Sequence, residues 1–394
     1  MKGPDLFDVM LRLHGAEHLG RNYQFVRLAR MQIAGHLDYS EISRVLDTIT
    51  RRTEWFSMWM AASERHRSLA HAALAGGGYA SAGDGYLRSA LCAHWASLYA
   101  VGIDRSTAHR SSLELYAAGA PYFEPPSERI EIDFDGDVIP GYLRLPRNVE
   151  RPKVVLMIGG ADTNKEELHH WGTQFTRRGL AVVPFDGPGQ GELAARYGRL
   201  TMRFGSFHRS VSAVIDWLEA GDRDLDLGGI GVFGNSLGGY LALDAALRDP
   251  RIRGVICNGG FCDAASIDAW PEGVVHAFSS CLGLETTDVL AHVREHLDLT
   301  EVPTSNQPSA LVVHGGREDL SDIEEARRAA RTMNGALVVV EDGWHTCTNR
   351  DHLVSPLFGD WMVRSLASAK SAGCSETIMS DERGYAAALE AIGG

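Results

Sequence analysis

The segment of this chain best suited to chemistry is Gly234-Asn235-Ser236-Leu237-Gly238. A short apolar run, Ile230 to Phe233, leads into it, and a helical pattern from Tyr240 follows at once. A serine at such a strand-to-helix turn is held in a strained backbone conformation, which only neighbours lacking side chains permit. Its hydroxyl then stands clear of the strand end, and the N–H of Leu237, opening the helix, can donate to an oxyanion. A serine nucleophile needs an imidazole to take its proton and a carboxylate to orient that imidazole. His345 follows the run Ala336 to Val340 in an exposed-type loop, Glu341-Asp-Gly-Trp-His345, where such a base belongs. The acid should lie between serine and histidine, after the run Ala310 to Val313. There the chain reads His314-Gly-Gly-Arg-Glu318-Asp319-Leu320. Glu318 stands at the acid position of the pattern H-G-x-x-D-x-[LV]. Asp319 is the more usual residue type one place later, and either can orient an imidazole. A second oxyanion donor is expected after the run Val154 to Ile158, where Gly159-Gly160-Ala161-Asp162 offers the N–H of Ala161.

Rival chemistries fail on context. Gly229-Ile-Gly231-Val-Phe-Gly234 satisfies the dinucleotide pattern GxGxxG, but two of its glycines fall at the start of the strand or within it, not in the turn that follows. The sequence contains no GxxxxGK[ST] loop, so neither reading calls for a cofactor. His169 and His170 are adjacent on a helix, point about 100° apart and lack a carboxylate at i+4, so a metal is not expected. Asp186, in Asp186-Gly-Pro-Gly-Gln-Gly-Glu192, reads as a turn-fixing residue, His314 as a structural histidine and His352 as a surface one.

The elements that must position these groups change character near Pro126. Residues 1–125 show apolar residues at helical spacing and no convincing strand, with breaks expected at the Gly-rich stretch 76–85 and at Gly119-Ala120-Pro121. Arg129 to Phe134 and Val138 to Leu145 then alternate around Asp135-Gly136-Asp137, as a hairpin does. Six short apolar runs follow, at 154–158, 181–185, 230–233, 254–257, 310–313 and 336–340. Helical patterns at about 165–178, 203–220, 237–248, 322–333 and 354–369 separate or follow them. Unbroken apolar strands alternating with helices predict an α/β architecture, a mostly parallel sheet with helices on both faces. The interval 262–306 is too long for one crossover and reads as a lid insertion; 370–394 reads as a peripheral tail.

Bulk composition bounds the partners. With 38 Lys+Arg against 51 Asp+Glu the net charge is −13, which argues against nucleic acid or an anionic membrane as the main partner. No apolar run approaches the roughly 20 residues of a membrane helix, and Asp5 and Asp8 interrupt any secretory leader. The six cysteines (Cys92, Cys257, Cys262, Cys281, Cys347 and Cys374) show no CxxC spacing and read as reduced thiols. The expectation is a cytoplasmic protein acting on a small molecule, with a homodimer left open.

Three runs, Gly159-Gly160-Ala161-Asp162-Thr-Asn-Lys165-Glu166-Glu167, Asp186 to Glu192 and Gly234 to Gly238, together resemble an α/β-hydrolase group. Its members include 2,6-dihydroxypseudooxynicotine hydrolase and fungal hydrolases that shorten polyketide pigment precursors. The helical segment with Tyr86-Leu-Arg88-Ser-Ala and the joint Ala120-Pro-Tyr122-Phe-Glu-Pro-Pro126 are similar to that group too, so the likeness extends to about residue 368. Glu318, where the group usually has Asp, and the longer C-terminus are departures. The resemblance implies an α/β-hydrolase fold behind a helical N-terminal domain, and hydrolysis of a C–C bond beside a ketone. It also implies a pocket between the two domains, which Tyr86, Arg88, His94 and Trp95 would line from the helical side. Ester cleavage and acyl elimination suit the same groups. A non-catalytic binding protein on this fold would normally lack one of them, and none is missing.

Overall fold

The computed structural model describes residues 9–13, 15, 28–197, 200–303, 306–368 and 373–391. The chain divides into two compact units, the first ending at Glu128 and the second beginning at Arg129, three residues beyond the boundary expected from the sequence.

The first unit is built from α1 (Leu28–Ile33), α2 (Tyr39–Leu46), α3 (Trp55–Ala75), α4 (Tyr79–Ser97) and α5 (Gly102–Gly119). Trp55, Trp59 and Trp95 fill its core together with Met31, Ile42 and Leu46. The break expected in the Gly-rich stretch falls at residues 76–78, between the end of α3 at Ala75 and the start of α4 at Tyr79, while Gly83 and Gly85 lie inside α4. A Cβ on Gly85 would lie 2.9 Å from that of Ala70 in α3, and one on Gly83 would lie 2.6 Å from the Tyr122 carbonyl. These glycines permit close helix approach. Their helix cost of roughly 1 kcal/mol each is offset by packing.

The second unit is a nine-stranded sheet in the order β1-β2-β4-β3-β5-β6-β7-β8-β9. The strands are β1 (Ser127–Phe134), β2 (Asp137–Arg144), β3 (Lys153–Ile158), β4 (Ala181–Phe185), β5 (Asp226–Asn235), β6 (Ile252–Asn258), β7 (Ser309–Gly315), β8 (Ala336–Val340) and β9 (Ser375–Met379). Asp135 and Gly136, both at positive φ, make the hairpin turn between β1 and β2. Strand β2 pairs antiparallel with β4, and every pairing from β4 through β3 to β9 is parallel. The helices of this unit are α6 (His169–Thr176), α7 (Gly191–Tyr197), α8 (His208–Ala220), α9 (Leu237–Arg248), α10 (Glu272–Leu282), α11 (Thr286–His296), α12 (Ile323–Thr332), α13 (Asp351–Ala367) and α14 (Glu382–Ala391). Strands β3 to β8 are almost wholly buried, as a sheet covered on both faces requires.

The expected insertion and the C-terminal stretch each carry secondary structure of their own. The insertion is itself helical, supplying α10 and α11, and its base is tied down: Trp270 Nε1 donates to the Leu320 carbonyl (2.8 Å) and Asp322 N to Ser266 Oγ (3.0 Å). The stretch 370–394 is not a peripheral tail, because Ser375–Met379 extends the sheet in parallel register with β8 and α14 follows it. As an edge strand of alternating exposure (Ser-Glu-Thr-Ile-Met) it has no apolar run to betray it. No helix of the described residues is long and apolar enough to cross a membrane.

Candidate active site

The C-terminal ends of β3, β5, β7 and β8 carry the groups singled out above. Between β5 and α9, Ser236 has φ 55° and ψ −125°, a region that L-residues rarely occupy. Its neighbours must be glycine for space: a Cβ on Gly234 would collide with the Gly238 carbonyl, and one on Gly238 with the Ile158 carbonyl. The strain is anchored by Ser236 N–H, which donates to the Asn258 carbonyl at 2.8 Å.

From Ser236 a single hydrogen-bonded chain runs across three loops. Ser236 Oγ is 2.8 Å from His345 Nε2, and His345 Nδ1 is 2.7 Å from Glu318 Oε2. Oε1 of Glu318 accepts from the backbone N–H groups of Asp319 (3.1 Å) and Leu320 (2.9 Å). Of the two carboxylates considered, Glu318 therefore meets the imidazole, while Asp319 is exposed and contributes its backbone N–H. The Glu318 side chain is completely buried. Burial alone would push its carboxyl up, but the His345 imidazole and the Leu320 N–H hold it below the ordinary carboxylate value. It is thus an anion at neutral pH, as an orienting acid must be.

Leu237 opens α9 and Ala161 lies in the loop after β3. Neither N–H has a backbone acceptor among the described residues. The Ala161 loop is held from two sides. Cys281 at the end of α10 donates its thiol to the Ala161 carbonyl (3.1 Å), and Gln190 Nε2 donates to the Gly159 carbonyl (2.6 Å). Behind it sits a buried ionic cluster. Lys165 Nζ, fully buried, lies 2.8 Å from Glu166, 3.0 Å from Asp186 and 2.8 Å from Glu192. Asp186 also accepts from the backbone N–H groups of Lys165 (2.8 Å) and Glu192 (2.9 Å), the turn-fixing part expected of it. Arg129 forks onto Glu192 through two 2.8 Å bonds. Burial opposes the charge of Glu192, yet Arg129 and Lys165 bring its carboxyl down to about 2. Burial raises that of Glu166 instead. Three buried carboxylates face two cations here, and Arg129 also meets Glu131 at 3.0 Å.

His314, at the end of β7, is buried, and burial lowers its basicity. His352 is exposed on α13. His170 pairs with Asp351 (2.9 Å) while His169 is buried, so the two histidines share no site. Tyr86, Arg88, His94 and Trp95 all lie on α4 within the helical unit. Trp95 belongs to that unit's core, with its carbonyl accepting from Trp55 Nε1 (2.7 Å); His94 is buried beside it. Arg88 donates to the His36 carbonyl (3.0 Å), and Tyr86 meets His71 edge-on. Sequence reasoning missed Asn258, Cys281 and Gln190. Only Asn258 leaves a trace, as a polar residue closing the apolar run Gly254 to Cys257.

Known proteins resemble this chain in sequence and in fold. Residues 150–281 match the family described as serine aminopeptidase, S33. The 2,6-dihydropseudooxynicotine hydrolase of Paenarthrobacter nicotinovorans is 31% identical over 343 residues, covering 85% of this chain and 90% of that protein. The 20-hydroxy-prefusarin hydrolase FUS2 of Gibberella moniliformis is 35% identical over 260 residues, 60% of each chain. The crystal structure of 2,6-dihydroxy-pseudo-oxynicotine hydrolase superposes with a TM-score of 0.79 at 28% identity, covering 88% of this chain and 97% of that one. Matching over nearly the full length of both chains, in sequence and in fold, shows that this protein is a hydrolase of the α/β-hydrolase family, in the group of 2,6-dihydropseudooxynicotine hydrolase.

Proposed function

We propose that the protein is a serine hydrolase that cleaves a C–C bond next to a ketone, in a β-diketone-like aromatic or polyketide-type small molecule. The observation that carries this reading is the unbroken hydrogen-bonded chain Ser236–His345–Glu318. His345 takes the Ser236 proton as Oγ adds to the carbonyl carbon, and Glu318 stabilises the imidazolium. The N–H groups of Leu237 and Ala161 hold the alkoxide, each contributing about 3–4 kcal/mol to the transition state. Collapse of the alkoxide breaks the C–C bond. The electron pair leaves as an enolate stabilised by the adjacent carbonyl, and His345 returns its proton to the departing carbon. Water, deprotonated by His345, then hydrolyses the acyl-Ser236 ester to a carboxylic acid. No cofactor enters this sequence.

The α/β unit carries all of these groups, so we assign the choice of substrate to the helical unit, with Arg88 its least buried candidate; Tyr86, His94 and Trp95 are packed inside that unit. The test is product analysis on a panel of aryl β-diketones. A carboxylic acid and a methyl or methylene ketone should appear in equal amounts, and Ser236→Ala should abolish both. Cleavage of esters alone would instead favour a second reading, an esterase or deacylase, which the match to the serine aminopeptidase family supports. Full turnover by Ser236→Ala would point to acyl elimination with His345 as base.

A further inference from the structure

We infer that Asn258 is a positioning residue whose side-chain amide couples the nucleophile turn to the His345 loop. The inference rests on the reading of Ser236 and His345 given above. Strand β6 lies beside β5, with Asn258 in register with Asn235, the residue before the serine. The backbone carbonyl of Asn258 accepts from Ser236 N–H at 2.8 Å. Its side-chain Nδ2 uses both hydrogens, one on Asn235 Oδ1 and one on the Thr346 carbonyl, each at 2.9 Å. The Thr346 carbonyl can only accept, so the amide cannot be turned round without setting two oxygens against each other. One fully buried residue thus touches the residue before the nucleophile, the nucleophile itself and the residue after the histidine.

The His345 loop needs such a hold. Thr346 (φ 59°, ψ 9°) and Cys347 (φ 53°, ψ 26°) are consecutive non-glycine residues in the left-handed region. That conformation costs of order 1–3 kcal/mol per residue and is worst for a β-branched side chain such as threonine. Without the bond from Asn258 the turn can relax, and the His345 ring moves with it. A displacement of about 1 Å is enough to cost 10²-fold in proton transfer.

The test uses Asn258→Ala, the isosteric Asn258→Asp and the double variant Asn258→Ala/Thr346→Gly. The readouts are the rate of fluorophosphonate labelling at Ser236 and the kcat and KM for p-nitrophenyl acetate. Both single variants should lose about 10²-fold in labelling rate and kcat, with KM little changed. The low-field NMR resonance of the His345 Nδ1 proton should shift or broaden in step. Glycine adopts the left-handed turn without penalty, so Thr346→Gly should restore at least tenfold of the loss. A packing role would instead leave Asn258→Asp active, because its volume is unchanged. Wild-type rates in Asn258→Ala or Asn258→Asp, or no recovery in the double variant, would overturn the inference. Absence of labelling in the folded wild type would overturn the reading of Ser236 itself, which separates the two failures.

Discussion

Three segments meet the reacting carbonyl, and they are held by two opposite means. The nucleophile turn is framed by neutral groups, glycines, the Asn258 amide and backbone N–H and C=O, and the same amide reaches the His345 loop, whose ion pair Arg350–Asp342 lies partly exposed. The oxyanion loop after β3 is backed by full charges, with Lys165 and Arg129 against Asp186 and Glu192. The difference follows from what each loop must do. A proton shuttles between Ser236 and His345, and a second fixed charge against them would bias its position; among the described residues Glu318 is the one charged side chain hydrogen-bonded to either. The oxyanion loop moves no proton, so strong ionic contacts can hold its backbone without disturbing a titration.

The largest effect expected on this contrast comes from Glu318→Gln. It keeps size and removes the charge that meets His345, and kcat should fall about 10⁴-fold with the fold intact by circular dichroism. A loss under tenfold would mean that His345 is oriented by something else. Next comes Lys165→Met, which strands buried carboxylates on the charged side. Breaking a buried ion pair from one side costs about 3–5 kcal/mol, read as a large drop in Tm, with activity falling only as folded protein is lost. Glu192 sets the pH signature. Its carboxyl is lowered to about 2 from an ordinary 4.5, so its stabilisation is complete above 4.5 and is lost as the pH falls towards 2. The Tm deficit of Lys165→Met should therefore be full above about pH 4.5 and shrink as the pH falls towards 2. The smallest effect belongs to Cys281, whose thiol touches the Ala161 carbonyl. Cys281→Ala should cost about 1 kcal/mol in kcat/KM for ester hydrolysis, and Cys281→Ser should recover it. Equal rates for the two would show that the thiol does not position the loop.

The same contrast explains what the sequence reveals. Ser236, His345 and Glu318 are legible because each follows a short apolar run at a strand end, and the parallel sheet brings those ends together. The choice between Glu318 and Asp319 is not legible, because it turns on which carboxylate the Leu320 and Asp319 N–H groups pin. Asn258 and Cys281 act through contacts 88 and 120 residues away in the chain, which no local pattern encodes. The glycines of α4 mislead because propensity sees their helix cost and not the neighbouring helix they admit. Strand β9 is hidden for a related reason: its register with β8 lies in backbone bonds, not in a buried face.

The central claim, that His345 activates Ser236, is tested most directly by labelling with a fluorophosphonate and mapping the adduct by peptide mass spectrometry. The account predicts one adduct, on the peptide containing Ser236, with a rate that falls at least about 10³-fold in His345→Ala. Folded wild-type protein that takes no label, or labelling of Ser236 at an unchanged rate without His345, would contradict it.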